Sequence, residues 1–376
     1  MNKELPTALA HVFERKAHPY HMWDGINQIP AGVEDILAPS VVEPIQASSL
    51  AMQSRLPIHL VGCGTSYFAA YSIALAIQHI AGLPAYPWEA FEFLAYPPVA
   101  LGASTVIGIS HTGSTPPVVR AIEMARAQGA CTVGYTDGIP SALMRLSEWV
   151  VPSTLGAEPA LPKTRSYTSA LLRGYLQAAA LAQAGGQDVS RWEAALHKSP
   201  ALARQVIVGC EPQVKELANR WGDRRRVVVS GGGPQFATAQ EGMLKLTEVA
   251  RFDATCWEIE EAVHGTWAST RENDLIIVLA MEGQSYESAV RLAGGMKAIG
   301  SAVWIITNRD WTGPEVDALT ILPGDQPELF MPLYAVIPLY QLAYFLALCK
   351  GISPDNMSMD DPRFLDARMQ MRSTLP

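Results

Sequence analysis

Apolar strand, glycine-bearing turn and helix follow one another along this chain and then recur roughly 170 residues later, a period far longer than any solenoid unit. The pattern is that of a duplicated domain. The stretch Ile58 to Gly62 leads into the turn Cys63 to Ser66 and a predicted helix through Ala70 to Ile80. Its counterpart is Val227 to Gly231, the turn Gly232-Gly233-Pro234 and a helix from Ala237 to Val249. Likewise Val106 to Thr115, a helix, Gly129 and the strand Cys131 to Tyr135 match Leu275 to Gly283, a helix, Gly300 and Ala302 to Ile306. Strands alternating with helices through short turns specify parallel sheets covered on both faces. The expected fold is α/β: two tandem three-layer α/β/α sandwiches.

The first unit is expected over residues 51–185 and the second over 200–350, separated in the helical stretch Ser169 to Asn219 with a break at Gly185-Gly186-Gln187. Residues 1–50, with His18-Pro19-Tyr20-His21-Met22-Trp23, read as an N-terminal arm or helical extension, and 351–376 as a polar, proline-punctuated tail. With 376 residues, 49% hydrophobic and 17% charged, the chain has material for two well-buried cores. A net charge of -8 argues against nucleic acid as partner. Cys63, Cys131, Cys210, Cys256 and Cys349 show neither paired nor metal-ligand spacing, so no metal and a reducing cytoplasmic location are expected. Met1 to Pro6 have no signal-peptide character. The apolar run Leu329 to Cys349, interrupted by Pro332 and Pro338, reads as a buried loop plus a core helix and not as a membrane span.

Two of the turns are rich in hydroxyls: Cys63-Gly64-Thr65-Ser66 and Ser110-His111-Thr112-Gly113-Ser114-Thr115. Each lies where a strand ends and a helix begins, so backbone N–H groups and Ser/Thr oxygens point into one concavity suited to phosphate or sugar hydroxyls. Helix capping alone would explain either turn; a shared ligand at the carboxyl edge of one parallel sheet explains both. The second half has Ala280-Met281-Glu282-Gly283-Gln284-Ser285 in the equivalent place, so the phosphate site belongs to the first half. Gly62-Cys63-Gly64 does not continue into a dinucleotide fingerprint, because Tyr67 stands where the third glycine is required. No cofactor is expected.

Glu241, Lys245 and Glu248 fall on one helix face. Such a face is ordinarily solvated, but behind the Gly231 to Gly233 turn a carboxylate raised by burial can act as a general base. Downstream, Trp257 to Trp267 sets Glu258, Glu260 and Glu261 ahead of His264-Gly265, a combination suited to proton transfer at a sugar ring oxygen. Before the helix expected near Ser169, Glu158 and Lys163-Thr164-Arg165-Ser166 offer caps or cations for an anionic ligand.

Taken together, Cys63 to Ser66, Ser110 to Thr115, Glu241-Gly242-Met243-Leu244-Lys245-Leu246-Thr247-Glu248 and Glu261-Ala262-Val263-His264-Gly265 resemble the sugar isomerase (SIS) family, in particular the isomerase half of glucosamine-6-phosphate synthases, over nearly the whole chain. The resemblance implies a flavodoxin-like sandwich for each unit. It gives Cys63, Gly64, Thr65, Ser66, Ser110, His111, Thr112, Gly113, Ser114, Thr115, Lys163 and Thr164 to the phosphosugar, Ser110, Thr112 and Thr115 gripping phosphate. It makes Glu248 the base between C1 and C2, Lys245 an active-site lysine and His264 a ring-opening histidine. In the family that histidine is supplied by the neighbouring subunit, which implies a homodimer with shared sites. Three positions depart from the family: His111 replaces glutamine, Lys163 serine and Arg165 lysine. Ala367 stands where the synthases carry an imine-forming lysine, and some fifty residues before the first strand leave no glutaminase. The implied activity is aldose-ketose isomerisation of a phosphorylated sugar or amino sugar with loss of amine, as in deaminases and fructosamine-6-phosphate deglycases. Plain isomerisation, amination from free ammonia and non-catalytic phosphosugar sensing are the alternatives.

Overall fold

In a computed structural model describing residues 7–372, two five-stranded parallel sheets repeat one topology. The ends of the expected arm and tail, residues 1–6 and 373–376, lie outside the described residues. In the first half, β1 (Ile58–Gly62), β2 (Ala85–Glu89), β3 (Thr105–Ile109), β4 (Cys131–Thr136) and β5 (Trp149–Pro152) run in the order β2-β1-β3-β4-β5. In the second, β6 (Arg226–Gly231), β7 (Ala254–Glu258), β8 (Asp274–Leu279), β9 (Ala302–Thr307) and β10 (Ala318–Ile321) run β10-β9-β8-β6-β7. The second order is the first read from the other edge. The central strands are buried along their length, as parallel strands with helices on both faces must be. In both sheets the strand order reverses beside the first strand of the unit, between β1 and β3 and between β6 and β8. Ligands of such open sheets bind at that reversal, and in the first half the two hydroxyl-rich turns leave the carboxyl ends of β1 and β3.

The duplication extends to backbone angles. Gly64 and Gly233, each directly before the helix that follows the first strand, have φ/ψ of 52/-125° and 55/-129°. Only glycine adopts this conformation without strain.

Several elements differ from expectation. The helix after β1 begins at Thr65, immediately behind its turn, runs to Ala76 and continues as a π-helical turn, Ile77–Ala81. The helix expected near Ser169 starts at Arg165 and ends at Ala184. The segment ahead of β1 is folded into the core through helices His21–Asn27, Ile29–Ile36 and Pro39–Met52, with Met22, Ile26, Val33 and Ile45 buried. Leu329 to Cys349 is not a loop plus a helix: a 3-10 turn, Glu328–Phe330, passes into one helix, Pro332–Cys349. Pro332 occupies the first helical position, where no N–H is missed, and the helix absorbs Pro338 in its interior. This stretch is long and apolar enough to cross a membrane, but 94% of it is buried inside the fold. It packs beside Ser199–Trp221 and Pro234–Glu248 as the central core helix.

Candidate functional site

The helix Pro234–Glu248 carries Glu241, Lys245 and Glu248, and this charged stripe faces inward. Gly242 permits this, because a Cβ there would strike Leu339 of the core helix. Glu241 is fully buried, Lys245 is 1% exposed, and the Glu248 side chain is 17% exposed. The solvated-face reading of this stripe is therefore wrong. Lys245 Nζ lies 2.6 Å from Glu248 Oε2 and 3.3 Å from Glu241 Oε1, and donates to Thr65 Oγ1 at 3.2 Å. The Thr65 hydroxyl in turn donates to Glu241 Oε2 at 2.8 Å, and the Tyr340 hydroxyl donates to Glu241 Oε1 at 2.9 Å. Thr65 opens the helix after β1, so the hydroxyl-rich turn of the first half is bonded directly to the charged helix of the second.

Burial pushes the Glu241 carboxyl up to about 7, with Glu248 adding to the shift against the pull of Lys245, Thr65 and Tyr340. For Lys245, burial acts downward, but the two carboxylates outweigh it and raise the ammonium above its ordinary value. The cluster thus holds a firmly charged lysine beside Glu248 and a second carboxyl poised near neutrality.

The hydroxyl-rich turn Ser110 to Thr115 leaves β3. Ser110 is buried and its Oγ lies 2.8 Å from Thr115 Oγ1; Thr112 Oγ1 and Ser114 Oγ are likewise 2.8 Å apart. Gly113, at φ +62°, packs where a Cβ would meet Ser141 and Thr136. The next helix, Pro116–Ala127, opens with two prolines and so lacks two N-terminal N–H donors. The polar groups of this turn are therefore the four hydroxyls and the loop N–H groups. Beside it, Cys63 is half-buried, its thiol pushed up to about 12 by burial and by Glu89. It stays a thiol at neutral pH, with Gly64 and Ser66 beside it in the turn.

Three expected sugar contacts make hydrogen bonds within the protein. His111 bonds through both ring nitrogens: Nε2 accepts the Glu158 N–H at 2.9 Å, which leaves the Nδ1 hydrogen for Asp137 Oδ2 at 2.8 Å. Asp137 also takes a bond from Arg173, both groups being about 2% exposed or less. Burial acts to raise the Asp137 carboxyl, but Arg173 and His111 hold it well below the usual carboxylate range. Thr164 donates its N–H and hydroxyl to the buried Glu158 carboxylate. Lys163 Nζ donates to the carbonyl oxygens of Ala160 and Glu158 at 2.6 and 3.0 Å. The cap of the helix Arg165–Ala184 is thus Glu158, which also accepts from Arg165 N and Ser166 Oγ. Thr164 makes no side-chain cap.

His264 stands apart. It lies in the 3-10 segment Glu261–His264 after β7, its side chain is 66% exposed, and Glu260 Oε1 is 3.9 Å away. Val263 and Trp267 beside it are also exposed. Among the described residues, no group of three or more His, Cys, Asp and Glu is placed to hold a metal.

Sequence reasoning named Glu241 without placing it in the site, and missed Tyr340, Asp137 and Arg173.

The model of the SIS domain matches residues 52–180 and 222–338. A glutamine–fructose-6-phosphate aminotransferase (isomerizing) of Pyrobaculum aerophilum is 29% identical over 94% of this chain, and the chain spans 58% of that protein. Among solved structures, the C-terminal domain of glucosamine-fructose-6-phosphate aminotransferase from Francisella tularensis superposes with a TM-score of 0.83 at 20% identity, covering 90% of this chain and 99% of that one. Glucosamine-6-phosphate deaminase from Thermotoga maritima gives 0.69 at 21% identity, covering 89% and 95%. These likenesses carry the fold, including the tandem arrangement of its two sheets.

Proposed function

Because the chain belongs to the SIS domain family, we propose that it is a phosphosugar isomerase acting on a 6-phosphorylated amino sugar or sugar-amine adduct, with release of the amine. The observation that carries this reading is the bonded bridge Thr65–Glu241–Lys245–Glu248 between the ligand turn of one half and the carboxylates of the other. A sugar phosphate seated with its phosphate on Ser110, Thr112 and Thr115 lies between the two halves, its reactive end towards Glu248.

In this mechanism Glu248 takes the proton from one of C1 and C2 and returns it to the other. Lys245, held charged between two carboxylates, stabilises the negative charge that develops on the sugar oxygen. His264 opens the sugar ring. Its exposure, and the exposed Val263 and Trp267 on either side, support the proposal that it does so in the site of a second copy of the chain.

The test is amine release from glucosamine 6-phosphate and from a panel of fructosamine 6-phosphates, with hexose phosphate measured alongside. Turnover of one of these, lost in Glu248→Gln while calorimetry still detects sugar-phosphate binding, is the expected result. Full turnover by Glu248→Gln, or no release from any substrate by the wild-type protein, overturns it.

A further inference from the structure

Asp137 and Glu158 each tie the turn Ser110 to Thr115 to the helix Arg165–Ala184. The Glu158 carboxylate accepts the N–H groups of Thr164 and Arg165 at the start of that helix, and the Glu158 N–H donates to His111 Nε2 at 2.9 Å. Further along the helix, Arg173 donates to Asp137, which takes the His111 Nδ1 hydrogen at 2.8 Å. Both attachments meet at the His111 ring. The backbone of the turn is pinned alongside. The Asp137 N–H and the Thr136 hydroxyl donate to His111 O at 3.0 and 3.3 Å, and a Cβ on Gly138 would lie 2.1 Å from Thr112 O.

A histidine paired with a buried carboxylate ordinarily suggests a general base. The bonds of His111 leave it no such role. A backbone N–H can only donate, so Nε2 is the acceptor and Nδ1 the protonated nitrogen. A neutral imidazole has one donor and one acceptor, and Asp137 and Glu158 take both. The side chain is 8% exposed, and that of Asp137 1%. The ring therefore has no polar atom left for a ligand or a reacting proton, while Ser110 and Thr112 on either side of it carry hydroxyls paired with Thr115 and Ser114.

Resting on the reading of this site as one for a phosphosugar, we propose that His111 is a positioning residue for the phosphate end of the substrate. As the neutral Nδ1–H tautomer it fixes the turn carrying Ser110, Thr112 and Thr115 against the Glu158 loop and the Asp137–Arg173 pair. It acts on binding through those hydroxyls and takes no part in moving the proton between sugar carbons. An apolar side chain in its place leaves the Glu158 N–H without its acceptor and Asp137 without one of its donors, so the turn is free to shift. A shift of about 1 Å is enough to spoil the alignment of ligand-holding groups. Glutamine meets the same two demands, because its amide carries both a donor and an acceptor.

The experiment compares His111→Leu and His111→Gln with the wild-type protein, using glucose 6-phosphate and fructose 6-phosphate as probes. Calorimetry should show binding weakened roughly tenfold in His111→Leu and restored to within about threefold of wild type in His111→Gln. On any sugar phosphate that is turned over, His111→Leu should raise KM and leave kcat unchanged. Equal affinity in His111→Leu and wild type, no recovery in His111→Gln, or a loss of kcat at unchanged KM overturns the assignment. The wild-type ring supplies a test that needs no variant to fold: its nitrogen NMR signals should show Nδ1 protonated and Nε2 unprotonated, with and without glucose 6-phosphate. A proton on Nε2 in either state overturns the assignment. All these outcomes leave the proposed reaction standing, whereas absence of sugar-phosphate binding by the wild-type protein overturns both.

Discussion

Glu241 and Glu248 flank Lys245 on one helix, yet only Glu241 is sealed from water, and that difference is measurable through pH. A carboxyl whose folded value lies above its unfolded value binds its proton more tightly when folded. The stability it contributes is present at low pH and declines from its unfolded value near 4.5 up to the folded value of about 7. At one pKa unit per 1.36 kcal/mol, the decline approaches about 3 kcal/mol. Urea unfolding of the wild-type protein at about pH 5 and about pH 8 should show this loss superimposed on that of other groups, and Glu241→Gln should reduce it. An equal slope in the two proteins would show that Glu241 does not change protonation over that interval. None of this was legible from Glu241 itself, since a Glu-Lys-Glu stripe reads as solvated until the Gly242–Leu339 contact turns it inward. The His111–Asp137–Arg173 cluster was hidden for a related reason: its members come from a turn, a strand end and a helix that only the fold brings together. His111 was named for its place in a hydroxyl-rich turn, and the ring then followed the buried carboxylate.

At the scale of elements, the strand-turn-helix grammar of each half was readable because buried parallel strands are short apolar runs and their turns need glycine. Helix starts were less so. The helix after Glu158 begins at Arg165 because a carboxylate from the preceding loop satisfies its first N–H groups, an arrangement with no sequence spacing to betray it. Burial acts to raise the Glu158 carboxyl, but His111, Lys163, Arg165 and the Thr164 N–H together hold it below its ordinary value. Its contribution to stability is accordingly present above the ordinary glutamate range and lost as the pH falls through the lowered value. Removing the cap in Glu158→Ala leaves buried N–H groups and hydroxyls without an acceptor, and should cost about 2–4 kcal/mol. Urea denaturation at neutral pH should give a lower midpoint with an unchanged slope; an unaltered midpoint would mean that water replaces the carboxylate at no cost.

For the whole molecule, the duplication sets the two polar features in different halves: one copy carries the hydroxyl turn, while the other carries a charged helix behind an equivalent glycine. Within the chain these two inheritances meet at Thr65 and Glu241, but His264 projects outward among exposed Val263 and Trp267. If a second copy receives that histidine, Glu248 and His264 of any one site belong to different chains. Glu248→Gln and His264→Ala homodimers should then each be inactive. Unfolded together and refolded as a mixture, they should form mixed dimers in which one site has lost both residues and the other has lost neither. Random pairing makes half of the dimers mixed, and each has one intact site of two, so activity should recover to about a quarter of the wild-type rate. If instead each site is built from one chain, every site in the mixture carries one lesion and no activity returns. A refolded wild-type control fixes the scale, and sedimentation at the assay concentration establishes that the dimer is the species measured.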